Sequence, residues 1–285
     1  LILEGGPVIV VSPLISLIRD QSIRMEEARI KCAFLTSDQS DEERRDMWYK
    51  IKEQDTKLIF CSPERFVLPS FHSFFLKNKP SMVVIDEAHC VVSWGHQFRP
   101  EYFELRKYLE IIQPQKILAL TATASKQTRS EIIRRVFPED RSVIEYISFP
   151  VAKNILVKSF RQFSMDEQTD KLIELLEKTE SKKSIVYFST RKQCDDFAKK
   201  MLKKKINAVV YHAGMEKTLR LSTETYIRTT QSKLVICATT AFGLGINIHD
   251  IHLVIVYGFP ANIEDFFQMI GRAGRAGGPA EGILL

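Results

Sequence analysis

A short apolar run, Met82-Val83-Val84-Ile85, leads straight into Asp86-Glu87-Ala88-His89. In open α/β sheets, ligands gather at the carboxyl ends of strands. Two adjacent acids at such a place suit Mg²⁺, a hard cation held through one or two carboxylates together with substrate phosphates. In that reading Asp86 holds the metal through its waters, Glu87 polarises an attacking water, and His89 reports the state of the site to a neighbouring element. The four-residue pattern alone also fits an ordinary loop. Its position at the end of an apolar strand favours the chemistry.

A second cluster is Gln268-Met269-Ile270-Gly271-Arg272-Ala273-Gly274-Arg275. Arg272 and Arg275 are three residues apart, which places them on one face of a helix or turn. The glycines let backbone approach closely. Guanidinium groups so placed can stabilise charge on a transferring phosphoryl group; the alternative is a surface Arg pair in a Gly-rich loop. A third stretch, Ser93-Trp94-Gly95-His96-Gln97-Phe98-Arg99-Pro100-Glu101-Tyr102, interleaves aromatics with His and Arg. Base stacking and phosphate contact need such alternation, although a buried aromatic cluster would look similar. Weaker signals sit at other strand ends: Ser12-Pro13-Leu14, Ser62-Pro63-Glu64-Arg65 and Leu120-Thr121-Ala122-Thr123-Ala124. Hydroxyls and helix N-termini suit phosphate oxygens, and they equally serve as plain helix caps.

These groups need a frame. Apolar, mostly β-branched runs recur at Val8–Val11, Cys32–Leu35, Leu58–Cys61, Met82–Ile85 and Ile117–Leu120. The rhythm resumes at Ile185–Phe188, Ala208–Tyr211, Leu234–Cys237 and Leu253–Val256. Strands this continuously apolar fit parallel sheets covered on both faces. Helical stretches between them (Asp41–Lys52, Ser125–Val136, Asp166–Glu177, Arg191–Lys204 and Asn262–Ile270) complete a βαβ pattern and predict an α/β fold. Asp41, Ser125 and Asn262 are the predicted N-caps. Pro150 interrupts the pattern near Ser148–Asn154, which divides the chain into domains 1–147 and 148–285.

Composition agrees. With 285 residues, 45% of them hydrophobic and 27% charged, the chain is globular rather than disordered or collagen-like. The net charge of +6 is uneven: residues 1–147 carry 21 basic and 21 acidic groups, residues 148–285 carry 20 and 14. The run Lys199-Lys200-Met201-Leu202-Lys203-Lys204-Lys205 supplies much of the excess, as a solvated helix end or a phosphate contact. None of the five cysteines forms a C-x-x-C pair, which argues against a zinc cluster or disulfide scaffold and suits a reducing compartment. No apolar run approaches the roughly 18 residues of a membrane span. The first residue is not Met, and the expectation is that the chain belongs to a longer one.

Taken in order, these blocks resemble the RecQ family of superfamily 2 DNA helicases. Ser12–Gln21 resembles motif Ia, Ser62–Arg65 motif Ib, Asp86–Cys90 motif II, and Leu120–Ala124 motif III. The Ser93–Tyr102 stretch resembles the aromatic-rich loop that separates RecQ enzymes from DEAD-box relatives. Tyr187-Phe188-Ser189-Thr190-Arg191 resembles motif IV, and Tyr211–Met215 with Arg220 a following RecQ signature. Ala238–Asn247 and Gln268–Arg275 resemble motifs V and VI.

The resemblance implies two RecA-like lobes, each a mostly parallel sheet covered by helices, with ATP and Mg²⁺ in the cleft and DNA across both. It implies stepping 3′ to 5′ along one strand, as in recombination, repair and replication. Asp86, Glu87, His89, Gln268, Arg272 and Arg275 would then be catalytic, with Gly245 and Asn247 joining Asp86, Glu87 and the two arginines around the nucleotide. DNA would meet Ser12, Ser62, Pro63, Glu64, Arg65, Trp94, His96, Phe98, Arg99, Thr190, Arg191, His212 and Thr239. Single strands and duplex junctions would be the substrates. The location would be the nucleus, or the cytoplasm of a prokaryote.

Departures accompany the matches. No Gly-Lys pair occurs, so the phosphate-cradling G-x-x-x-x-G-K-[ST] loop is missing. In the family it precedes motif Ia, with a glutamine motif further upstream; a zinc-binding and winged-helix region follows motif VI. The expectation is that these 285 residues alone hydrolyse ATP poorly. Gln97 and Ala276 stand where the family usually has Asp, Val256 replaces a common His, and the family's Asp-Arg-Pro-Asn is altered around Ser148–Asn154. Two further readings therefore stay open: a non-catalytic DNA-binding or scaffold protein on a degraded helicase core, and a DEAD-box-like RNA helicase, against which the Trp94–Tyr102 loop speaks.

Overall fold

A computed structural model describes residues 6–53, 56–93, 100–148, 152–161, 164–240, 242, 248 and 250–285. The chain forms two compact units, Leu1–Ile147 and Ser148–Leu285.

The first unit runs β1 Val8–Val11, α1 Ile15–Glu27, β2 Cys32–Leu35, α2 Asp41–Glu53, β3 Leu58–Cys61, α3 Pro63–Phe66, α4 Pro69–Lys77, β4 Met82–Ile85 and α5 Cys90–Ser93. A 3₁₀ turn at Pro100–Glu104 then leads to α6 Leu105–Ile112, β5 Lys116–Ala119 and α7 Lys126–Val136. The five strands are parallel in the order β2-β3-β1-β4-β5. Their continuous apolar runs follow from burial on both faces. Ile9, Val11, Ile59, Val83 and Ile85 pack under Phe66, Phe71, Phe75, Tyr102, Leu105 and Leu109. The alternating residues Val8, Leu58, Phe60 and Val84 meet Ile18 of α1 on the other side.

The second unit runs β6 Ile155–Ser159, α8 Met165–Lys178, β7 Lys183–Phe188, α9 Arg191–Lys203, β8 Ala208–Tyr211, α10 Lys217–Thr229, β9 Leu234–Ala238, β10 Ile251–Tyr257, α11 Ile263–Ile270 and β11 Ala280–Leu284. Its sheet is parallel in the order β6-β11-β10-β7-β9-β8. Core side chains again fill both faces. No helix among the described residues is long and apolar enough to cross a membrane.

The expected strands are present, and three details differ. β5 lies one residue earlier than Ile117–Leu120, because its register pairs Met82 with Lys116 and Ile85 with Ala119. Strands β6 and β11 lack the signal that marked the others: Leu156 and Val157 of β6 are exposed, and Ala-Glu-Gly-Ile-Leu of β11 is not a β-branched run. Helix α2 is capped by Ser40 rather than Asp41. The Glu43 N–H donates to Ser40 Oγ (3.2 Å) and the Ser40 N–H to Glu43 Oε2 (2.8 Å), a reciprocal capping box. Ser125 and Asn262 cap α7 and α11 as expected.

Asn154 fixes the Gly-rich segment after α11. Its Nδ2 donates to the carbonyls of Gly274 (2.9 Å) and Gly278 (2.7 Å). Gly274 has φ 66°, and a Cβ there would stand 2.5 Å from Asn154 Nδ2, so only glycine fits. Asn154→Ala leaves two carbonyls without this donor and is expected to destabilise the second lobe by about 1–3 kcal/mol. Thermal melting of the variant should show a lower midpoint than the parent, with Asn154→Asp no better, since a carboxylate cannot donate.

Candidate active site

In the first lobe the carboxyl ends of β1, β3, β4 and β5 lie along one edge of the sheet. Adjacent ends are laced by backbone bonds: Ser12 N–H to Cys61 O (3.0 Å), Asp86 N–H to Val11 O (2.9 Å) and Leu120 N–H to Ile85 O (2.9 Å). This lacing brings Ser12 and Asp86 together, and the Ser12 hydroxyl donates to Asp86 Oδ2 (3.2 Å). The second oxygen, Oδ1, accepts from the Glu87 N–H at 3.0 Å. Burial pushes the Asp86 carboxyl above the usual carboxylate range, against the pull of those two donors. A desolvated carboxylate of this kind is a good partner for a cation.

Glu87 has φ 48°, in the left-handed region that a non-glycine residue seldom occupies. The turn is held by the Ala88 N–H, which donates to Leu120 O (2.8 Å). Backbone strain of this sort persists where surrounding structure enforces it. The turn points the Glu87 carboxylate back toward His89, with Oε2 3.3 Å from Nδ1. His89 Nδ1 also lies 3.0 Å from Thr121 Oγ1, whose own proton goes to the Thr123 carbonyl (3.0 Å). Thr121 Oγ1 must therefore accept, which assigns the proton to Nδ1. Strand β5 is thus wired to the acids through His89. The Tyr102 hydroxyl reaches the Asp86 carbonyl at 3.5 Å.

His89 is half-buried, and desolvation alone holds its pKa below the ordinary 6.5. Buried His72, at 2.6 Å from the Phe66 carbonyl, is lowered chiefly for the same reason. For both, the unfolded chain takes up the proton first, so their contribution is complete above pH 6.5 and is lost as pH falls through the folded value. The melting temperature of the first lobe is expected to decline from pH 7 to 5, and less steeply in His89→Asn. A flat profile would contradict this.

Other predicted contacts of this lobe have different places. Ser12, Ser62 and Pro63 are buried. Their side chains therefore face the lobe interior rather than a strand of DNA, and Ser12 serves Asp86. Glu64 is half-buried, and the Arg65 Nε–H donates to Thr36 O (2.9 Å), bracing the turn after β2.

In the second lobe Thr190, His212 and Thr239 follow the carboxyl ends of β7, β8 and β9, whereas the segment after α11 returns to the amino end of β10, where the Gly274 N–H donates to Ile251 O (2.8 Å). Thr190 caps α9 in a capping box with Gln193. His212 is buried, with Nε2 3.5 Å from Asp195 Oδ1. Thr190 remains exposed while capping α9, and His212 makes its contact with Asp195 inside the lobe. Arg191 is exposed and lies against Gly214, where a Cβ would be 2.8 Å from its Nη1. Thr239 is half-buried, its N–H donating to Tyr211 O (3.3 Å).

Gln268 and Arg272 are half-buried and Arg275 exposed. Arg272 sits beside the Tyr187 hydroxyl, which donates to the Phe242 carbonyl at 3.0 Å. Burial raises the Tyr187 pKa, and the Arg272 and Arg275 charges oppose that rise. Tyr187 therefore ties the motif IV strand to Arg272 and to the start of motif V, a role its position in the quoted Tyr-Phe-Ser-Thr-Arg did not disclose. Trp94, His96, Phe98, Arg99, Gly245 and Asn247 lie outside the described residues.

Asp86 and the Ser12 hydroxyl form an all-oxygen donor set of the kind Mg²⁺ takes. Among the described residues no group of three or more His, Cys, Asp or Glu side chains is arranged to cage a metal. The donor set fits an ion that completes its shell with water and phosphate.

Residues 2–132 match the DEAD/DEAH box helicase family and residues 167–277 the helicase conserved C-terminal domain. The ATP-dependent DNA helicase RecQ of Haemophilus influenzae is 34% identical over 98% of this chain and 44% of its own. This chain belongs to the RecQ family. The probable ATP-dependent DNA helicase RecS of Bacillus subtilis is 35% identical over 98% of this chain and 56% of its own. The RecQ core described here thus spans about half the length of these curated relatives. Its fold is shared with the Mycobacterium smegmatis helicase Lhr bound to ssDNA and AMP-PNP, at 21% identity and a TM-score of 0.67 over 98% of this chain and 40% of that one. The lobes are RecA-like α/β units.

Proposed function

We propose that this RecQ core is the motor of an ATP-dependent DNA helicase that unwinds duplex DNA 3′ to 5′, with the nucleotide shared by its two lobes. The observation that carries the reading is the Ser12–Asp86–Glu87–His89–Thr121 constellation at the carboxyl edge of the first sheet. It is supported by a 34% identical relative that bears the name ATP-dependent DNA helicase RecQ.

Bound Mg²⁺–ATP supplies the phosphoryl group and the metal charge that offsets its oxygens. Asp86, oriented by Ser12, holds the metal's waters. Glu87 orients and polarises the attacking water. His89 carries the state of those acids through Thr121 to the motif III strand end. From the second lobe, Arg272, positioned beside Tyr187, and Arg275 stabilise charge on the phosphoryl group, with Gln268, Gly245 and Asn247 lining the nucleotide. DNA contact falls to Arg191, Thr239 and the Trp94–Arg99 stretch, with Ser12, Ser62–Arg65, Thr190 and His212 shaping the strand ends beneath. Its setting is recombination, repair and replication, in a nucleus or a prokaryotic cytoplasm.

Unwinding assays on duplexes with one single-stranded tail test the reading. Strand release from a 3′ tail but not a 5′ tail supports it, and release by RNA-stimulated, DNA-insensitive hydrolysis contradicts it. Gln97 and Ala276, where the family usually has Asp, favour a second reading as a non-catalytic DNA-binding scaffold. That reading predicts DNA affinity without strand release from either substrate.

A further inference from the structure

A groove of about 500 Å³ opens between α2 and α4 on the first lobe. Its walls carry Arg44, Arg45, Trp48, Tyr49, Lys52 and Phe74, and no acid. The alternation follows from helix geometry: Arg44, Trp48 and Lys52 succeed one another at four-residue steps, and Arg45 and Tyr49 form a second row beside them. Trp48 is held edge-on by Phe74 (centroids 5.3 Å, 71°) and Phe71 (6.3 Å). Its ring is thereby fixed, with Lys52 Nζ 5.9 Å from its centroid. Tyr49 is 60% exposed on the groove wall. Arg44 pairs with Asp41 on its own helix, and Arg45 and Lys52 are exposed.

The volume falls in the roughly 300–1,000 Å³ range of small-ligand sites. Rigid aromatics interleaved with cations suit a chain of planar rings joined by anions.

We infer that this groove is an accessory single-stranded DNA site, taking one or two nucleotides with bases against Trp48 and Tyr49 and phosphates on Arg45 and Lys52. The inference rests on the DNA reading above and adds a contact outside the motifs that carry it.

Photo-crosslinking of the 285-residue chain to oligothymidylate bearing 5-iododeoxyuridine, mapped by mass spectrometry, locates the strand. Adducts on Trp48 or Tyr49 are expected. Arg45→Ala with Lys52→Ala should weaken oligothymidylate binding about fivefold and reduce the slope of log affinity against log salt by about 1.4, two phosphates at ~0.7 each. Tyr49→Ala should remove its adduct and weaken binding with the salt slope unchanged. Matching melting curves of variants and parent confirm that these surface changes spare the fold. Adducts elsewhere only, with parental affinity in the double variant, overturn the groove and leave DNA binding intact. Absence of any oligothymidylate binding removes both. A glutamate-rich, tryptophan-containing peptide that binds the parent more tightly than oligothymidylate, and is lost in the double variant, would assign the groove to a protein partner instead.

Discussion

In a polypeptide that also carries a phosphate-binding loop, Glu87→Gln is expected to lower ATP turnover by roughly 10²–10⁴-fold, the range a positioned general base contributes. The substitution preserves size and most hydrogen bonding and removes only the charge that polarises water. Nucleotide affinity should therefore hold, because Asp86 and its Ser12 partner are untouched. The backbone at residue 87 has φ 48°, and Gln accepts that conformation no worse than Glu, so the fold should survive. Single-turnover hydrolysis together with equilibrium binding of a fluorescent ATP analogue separates the two effects. Equal loss of binding and turnover would make Glu87 a structural residue. Unchanged turnover would remove it from the water-activating role.

Arg275→Ala is expected to have an effect as large or larger. Arginines that meet the transferring phosphoryl group in related chemistry are worth roughly 10³–10⁵ in turnover. Arg275 is exposed on the Gly-rich turn that Asn154 clamps, so its removal should cost little stability. Arg272 is a less clean probe, since it is half-buried beside Tyr187. Arg275→Lys tests geometry against charge. A lysine restores a point charge but not the planar fork, and recovery should be slight. Loss of turnover with an unchanged melting curve supports the assignment, and full activity in Arg275→Ala contradicts it.

How far these sites could be read from sequence depends on the range of the interactions that build them. β4 and the acids after it were legible, because a fully buried parallel strand writes a continuous apolar run and a charged pair ends it abruptly. The arginines at 272 and 275 were legible from local spacing. Strands β6 and β11 were not, since Leu156 and Val157 of the edge strand β6 face solvent and the β11 sequence is too mixed to mark a strand. The tethers were hidden for another reason. Ser12 meets Asp86 across 74 residues, Tyr187 meets Phe242 across 55, and Asn154 meets Gly274 across 120. No periodicity encodes pairs that only the assembled sheet brings together. Ser12 and Ser62 were left between phosphate contact and helix cap, and Thr190 was assigned to DNA by resemblance, for a related reason. A cap or a buried bond leaves the same residue type at the same strand end as a phosphate contact would.

ATP hydrolysis measured with and without single-stranded DNA tests the central claim most directly. It should be run on this chain and, where the gene encodes residues ahead of Leu1, on the extended polypeptide, each beside its Glu87→Gln form. With no Gly-Lys pair in these 285 residues, this chain should turn over weakly. A polypeptide that also carries a phosphate-binding loop should show hydrolysis that rises on adding single-stranded DNA and disappears in Glu87→Gln. Hydrolysis indifferent to DNA, or persisting unchanged in Glu87→Gln, would contradict the account.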